Sequence, residues 1–220
     1  MNQGGGALLP AEATAALERA NAEIARIPVA LWLRLDLKTI GSIAGAYVVS
    51  ELAEAAGCIV NPIEKGHPDI VPPEAAGACE SVLRRYPVGL EVKGTCGSLR
   101  TGTRRDKGRG RLDVLAGLTW QAHHREVGNL FAFVWDFVAW PTGGVPQITA
   151  AFHAGHLTTA DWGGVSGTTA RSTKVCGLSA SGRRKLAASP VCFRTPGGYR
   201  YRYLACLPNA GLVPRGSPRE

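Results

Sequence analysis

Pro68-Asp69-Ile70-Val71 and Glu91-Val92-Lys93-Gly94-Thr95 are the stretches that decide this fold, with Glu91 falling 22 residues after Asp69. Residues 88–95 alternate Val, Leu and Val with Gly, Glu and Lys, the period of a half-buried strand. Successive strand side chains point to opposite faces, so Glu91 and Lys93 project together. If the short 68–71 strand pairs with this one as a hairpin around the intervening segment, Asp69 faces them. Two carboxylates and one ammonium then converge where a divalent cation can sit. A plainer reading makes Glu91 and Lys93 an ordinary cross-strand pair. Asp36-Leu37-Lys38 has the same spacing but no Pro-Asp upstream.

Outward from this stretch, helices and strands are mixed. Residues 11–26 are rich in Ala and Glu with apolar positions at helical spacing, between Pro10 and Pro28, and read as a helix. Residues 29–37 are apolar and read as a strand or a helix continuation. Residues 42–56 read as a second helix, closed by Gly57, with Glu51 and Glu54 on one acidic edge. Residues 58–60 are a short extended piece, and residues 73–85 one helix. Strands are expected at 118–123, 130–139, 147–154 and 173–178, and a short basic helix at 181–188. Leu130-Phe131-Ala132-Phe133-Val134-Trp135 is apolar throughout and reads as a central strand. The expected class is α/β, a central mixed sheet flanked by helices.

The residue types suit phosphodiester hydrolysis, which needs a nucleophilic water and a stabilised oxyanion. Carboxylate oxygens hold Mg²⁺, which keeps several waters and accepts a phosphate oxygen. The ion lowers the pKa of water and neutralises developing charge. A lysine beside them orients the water or stabilises the pentacoordinate phosphate. The main-chain carbonyl of Val92 is a further candidate ligand, and Glu51, or Glu54 a turn on, a further carboxylate.

Pro68-Asp69 with Glu91-Val92-Lys93 resembles the PD-(D/E)xK nuclease superfamily, which includes most type II restriction endonucleases. The likeness covers the Glu51 helix to about Trp135. It implies a restriction-endonuclease-like core, Asp69 and Glu91 as metal ligands, Lys93 as the catalytic lysine, and Mg²⁺ replaceable by Mn²⁺. Glu51 matches the family's helix glutamate by position only. A restriction enzyme further implies double-stranded DNA as substrate, a homodimer suited to palindromic sites and a cognate DNA methyltransferase in the cell.

Charge supports a polyanion partner. The net charge is +8, yet residues 1–93 carry 8 basic and 11 acidic side chains while residues 94–220 carry 17 and 6. That basic second half reads as a nucleic-acid surface. Residues 100–111 hold six basic side chains among glycines, and Arg104, Arg105, Lys107 and Arg109 suit a loop that tracks phosphates. Arg171, Lys174, Arg183, Arg184 and Lys185 suit sequence readout, since arginine can pair bidentately with guanine. Each also reads as a solvated basic turn. Gln121, His123 and His124 are candidates for a proton relay or a phosphate contact. Trp162, Tyr199, Tyr201 and Tyr203 could stack on bases; packing is the safer reading.

Residues 1–211 are expected to form one domain: a helical part at 1–57, a catalytic core at about 42–155 and a basic recognition segment at about 156–205. Leu212-Val213-Pro214-Arg215-Gly216-Ser217 matches a thrombin cleavage linker, so 212–220 are set aside. No apolar run is long enough to span a membrane. Residues 1–10 show no leader pattern, so a cytoplasmic protein with reduced, mostly buried cysteines is expected. His153 and His156 fit no zinc spacing well. No GxxxxGK[ST] loop is present, so no nucleotide cofactor is expected. Two alternatives stay open: a repair or junction-resolving nuclease of the same superfamily, and a basic DNA-binding protein without catalysis.

Overall fold

Helix α1 (Pro10–Arg26) begins on a proline whose missing N–H costs nothing at that position. Glu12 reaches back to accept the Leu9 N–H at 2.9 Å. Its inner stripe is Ala13, Ala16, Leu17, Ala20 and Ile24, all buried. The computed structural model describes residues 8–64, 66–97, 115, 118–121, 128–137, 145–166 and 174–193. The apolar stretch after α1 is a short helix, α2 (Val29–Trp32), and not a strand. Helix α3 (Leu37–Ala55) starts earlier than expected because Asp36 caps it. The Asp36 carboxylate accepts the Thr39 N–H at 2.9 Å and the Thr39 hydroxyl at 2.8 Å, satisfying a donor that the helix cannot. Its buried stripe is Ile40, Ala44, Val48 and Leu52.

Strands β1 (Ile59–Val60) and β2 (Ile70–Val71) form a small antiparallel pair. The single helix expected over 73–85 is two pieces, a 3-10 turn at Pro73–Ala75 and α4 (Glu80–Leu83). Gly77, at φ +92°, lies between them, a conformation no helix can hold.

The central sheet has the order β3-β5-β6-β8. Strand β3 (Glu91–Cys96) runs parallel to β5 (Leu130–Phe137). Strand β6 (Pro146–Ala154) is antiparallel to β5 and to β8 (Pro190–Phe193). The mixed sheet and its flanking helices agree with the expected class. Strand β8 was not expected; it opens on a proline at the sheet's edge, where the lost N–H is tolerated. A second antiparallel pair joins β4 (Thr119–Gln121) and β7 (Val175–Gly177), and α5 (Ala180–Ala187) follows.

The sheet is covered on both faces. On one, Val92, Phe131, Phe133, Trp135, Ile148 and Ala151 pack against the stripes of α1 and α3. On the other, Leu130, Ala132, Val134, Ala150 and Phe152 pack against Trp162, Cys176, Leu178 and Leu186. Burial on both faces explains why β5 is apolar from Leu130 to Trp135 instead of alternating. Each fully buried phenylalanine contributes on the order of 2–3 kcal/mol. Among the described residues, no helix is long and apolar enough to cross a membrane.

Candidate active site

The Asp69 and Glu91 segments meet through a single antiparallel bridge. The Ile70 N–H donates to the Leu90 carbonyl at 3.0 Å, and the Leu90 N–H returns to Ile70 at 2.9 Å. So the expected pairing exists, but as one bridge; the strand partner of β2 is β1. Gly89 permits the approach. It has φ +145°, and a Cβ there would strike the Ile70 carbonyl and Pro68 Cγ. Ile70 and Val92 are buried in the α1–α3 core, with Leu90 packed against it, so the alternate residues Asp69, Glu91 and Lys93 turn the other way.

Parallel pairing to β5 uses the Glu91 N–H, which donates to Asn129 at 3.0 Å. Residue 92 therefore turns both its main-chain groups to the sheet's open edge. There the Val92 N–H donates to Asp69 Oδ2 at 2.8 Å. Lys93 Nζ lies 2.5 Å from Glu91 Oε1 and 3.6 Å from Asp69 Oδ2. The Glu91 side chain is 1% exposed, while Lys93 and Asp69 are 25% and 30% exposed. The sequence-expected trio thus converges, with one carboxylate buried and one open to solvent.

The electrostatics follow from that asymmetry. Burial pushes the Glu91 carboxyl up to about 7; the Lys93 ammonium pulls it back down, and the Asp69 charge adds to the rise. Burial also works against the Lys93 ammonium, but Glu91 and Asp69 outweigh it and hold its pKa above the usual value. At neutral pH the trio is an ammonium between two carboxyls, one of them close to its titration point.

Glu51 is not brought to this group. It pairs with Arg19 of α1 at 2.6 Å. The physical reason is the layer order: α3 covers the Phe131 and Phe133 face, while Glu91 and Lys93 register with Leu130 and Ala132, which belong to the opposite core. Glu54 is exposed on the same helix.

The basic candidates separate. Lys185 is exposed but paired: Nζ lies 2.7 Å from Asp161 Oδ2 and donates to the His156 carbonyl at 3.3 Å. Asp161 is buried, which would raise its pKa. Lys185, the Thr158 N–H, Ser181 and the Thr158 hydroxyl outweigh burial and hold it at about 2. Lys185 is therefore a strut between α5 and the Asp161 turn. Arg183 Nη1 donates to the Leu178 carbonyl at 2.8 Å. Arg184 and Lys174 are exposed. Arg104, Arg105, Lys107, Arg109, Arg171, His123 and His124 lie outside the described residues, as do Tyr199, Tyr201 and Tyr203, and only the backbone of Gln121 is described, in β4. Trp162 packs in the second core, as expected. Of the described cysteines, only Cys176 is buried; Cys58, Cys96 and Cys192 are half-buried and Cys79 exposed, all as free thiols.

Two residues that the sequence reading passed over hold the carboxylate strands. Asn61 Nδ2 donates to the Pro68 and Leu83 carbonyls at 3.1 and 2.8 Å, and its N–H donates to the Asp69 carbonyl at 2.9 Å. Asn129 plays the matching part beside Glu91. Their only sequence signal is polarity next to an apolar run. No family model, curated protein or solved structure matches the chain.

Proposed function

We propose that this protein is a Mg²⁺-dependent endonuclease that hydrolyses double-stranded DNA, of the restriction type. The observation that carries the reading is the convergence of Asp69, Glu91 and Lys93 at the open edge of β3. The donor set fits the ion. Two carboxylates and the Val92 carbonyl are hard oxygen donors, and Mg²⁺ is held by one or two carboxylates plus waters and phosphate. The Lys93 ammonium lying near both carboxylates supports a site that attracts positive charge. Among the described residues no set of three His, Cys, Asp or Glu side chains closes on it, so a larger all-protein cage is not invoked. When bound, the ion supplies a Lewis acid that lowers the pKa of water and offsets charge on the phosphate.

The chain's own groups divide the remaining work. Asp69, bonded to the Val92 N–H, is fixed at the solvent side and would hold the ion there. Glu91, buried beside Lys93, would hold the ion from the inner side. Lys93 keeps its proton and offers an ammonium to the charge that grows on the phosphoryl oxygens. The exposed Arg184 and Lys174, with the basic half of the sequence behind them, supply attraction for the DNA backbone. Homodimerisation and a partner methyltransferase belong to the same reading.

Plasmid cleavage in Mg²⁺ by wild type and by Asp69→Ala tests it. Cutting by wild type, with cutting lost but DNA binding kept in the variant, is expected. Cutting confined to branched DNA moves the protein to the junction-resolving alternative. Binding without any cutting leaves the non-catalytic one.

A further inference from the structure

Asn129 sits immediately before β5 and touches both residues that bracket Leu90. Its main-chain oxygen accepts the Glu91 N–H at 3.0 Å. Its Nδ2 donates to the Gly89 carbonyl at 2.9 Å. That donation fixes the amide's orientation, so Oδ1 is the atom facing His153 Nε2, 2.7 Å away. Oδ1 can only accept, so His153 carries a proton on Nε2. Burial, with His156 nearby, holds the His153 pKa below its usual value, and the ring is neutral at neutral pH.

Gly89 is the other half of the device. It presses on Pro68 and Ile70, the neighbours of Asp69 on either side, so closely that no Cβ fits. Asn129 holds Gly89 from the far side and Glu91 from the same residue. One residue, by its side chain at Gly89 and its main chain at Glu91, thus sets the register of the Glu91 strand against the Asp69 strand. The task needs an amide: a carboxylate could not donate to Gly89, and an apolar residue would leave both Gly89 and His153 unmatched.

We infer that Asn129, its amide oriented by His153, is a positioning residue that fixes the spacing between Glu91 and Asp69. The inference rests on the proposed nuclease site for why that spacing matters; misplacing a reacting group by about 1 Å can cost on the order of a hundredfold in rate.

The test compares the full-length wild type with Asn129→Ala, His153→Phe and His153→Gln by two readouts. The first is amide hydrogen exchange at Val92, whose N–H is held by Asp69 at 2.8 Å, with Ile24 and Val48 of the α1–α3 core as standards. The second is DNA cleavage in Mg²⁺. In Asn129→Ala, Val92 exchange should rise about tenfold while Ile24 and Val48 stay unchanged. Its kcat should fall about tenfold or more with KM within about twofold. His153→Phe keeps the aromatic packing near Phe131 but has no donor, and should move both readouts the same way by less. His153→Gln can still donate to Oδ1 and should restore them. Unchanged Val92 exchange in Asn129→Ala, or an equal rise at all three amides, overturns the inference. If Asn129→Ala does not fold, the His153 pair decides, and identical behaviour of Phe and Gln overturns it. A wild type that cuts no DNA, with Val92 still selectively exposed in Asn129→Ala, supports the positioning role and removes only the nuclease reading.

Discussion

Glu91→Gln should flatten the pH dependence of stability. The Glu91 carboxyl is 1% exposed and is pushed from an ordinary 4.5 up to about 7, chiefly by burial. Between those values the folded protein holds a proton that the unfolded chain has released. Its contribution is full below about pH 4.5 and is lost as pH rises through about 7. At about 1.4 kcal/mol per pH unit the span is worth roughly 3 kcal/mol. Lys93, held above its usual 10.5, keeps its proton in both states over this window and does not offset the loss. Glutamine keeps the shape and removes the titration. Urea unfolding in EDTA at about pH 5 and about pH 8 measures it: wild type should lose roughly 3 kcal/mol more than Glu91→Gln across that range. Parallel curves for the two proteins would refute the buried, proton-holding Glu91.

Other expectations rest on packing and layer order. Gly94→Ala drives a methyl into the edge of the Phe133 ring and should lower stability by about 1–3 kcal/mol, the usual cost of overpacking; an unshifted melting curve would show that the sheet yields there. Glu51→Gln should leave DNA cleavage within about twofold of wild type, because Glu51 serves Arg19 on the far face; a large loss of kcat would put it in the site after all. Arg184→Ala should weaken DNA binding and reduce the salt slope by about one with unfolding unchanged. Lys185→Met should do the reverse, removing part of the roughly 2 kcal/mol that holds Asp161 near a pKa of about 2. That contribution is present above Asp161's ordinary 3.8 and fades as pH falls through about 2, so the two proteins should converge in strong acid.

The site's central geometry was legible because strand periodicity has so few solutions. Glu91 and Lys93 two apart on a strand must share a face, and the Pro-Asp segment meets them through the Ile70–Leu90 bridge. The long elements were legible for the same reason: the stripes of α1 and α3, and the apolar run of β5 from Leu130 to Trp135. What was not legible depends on tertiary layer order. Nothing local to Glu51 says which face of the sheet its helix covers, and Lys185 resembles any surface lysine until Asp161 is placed under it. The helix expected across 73–85 is broken at Gly77, whose positive φ is a local effect open to a glycine. The α3 start at Leu37 does carry a local signal, the cap of Asp36 on Thr39. Asn61 and Asn129 could not have been found, since hydrogen bonds to distant backbone leave no spacing to read.

The most direct test of the catalytic claim is digestion of unmethylated phage DNA by the purified protein, resolved on a gel, with Mg²⁺, with EDTA, and with Lys93→Ala in Mg²⁺. Discrete fragments from wild type in Mg²⁺ alone are predicted, and their ends would give the recognition site. Intact DNA in every lane, or the same fragments from Lys93→Ala, would contradict a nuclease built on Asp69, Glu91 and Lys93.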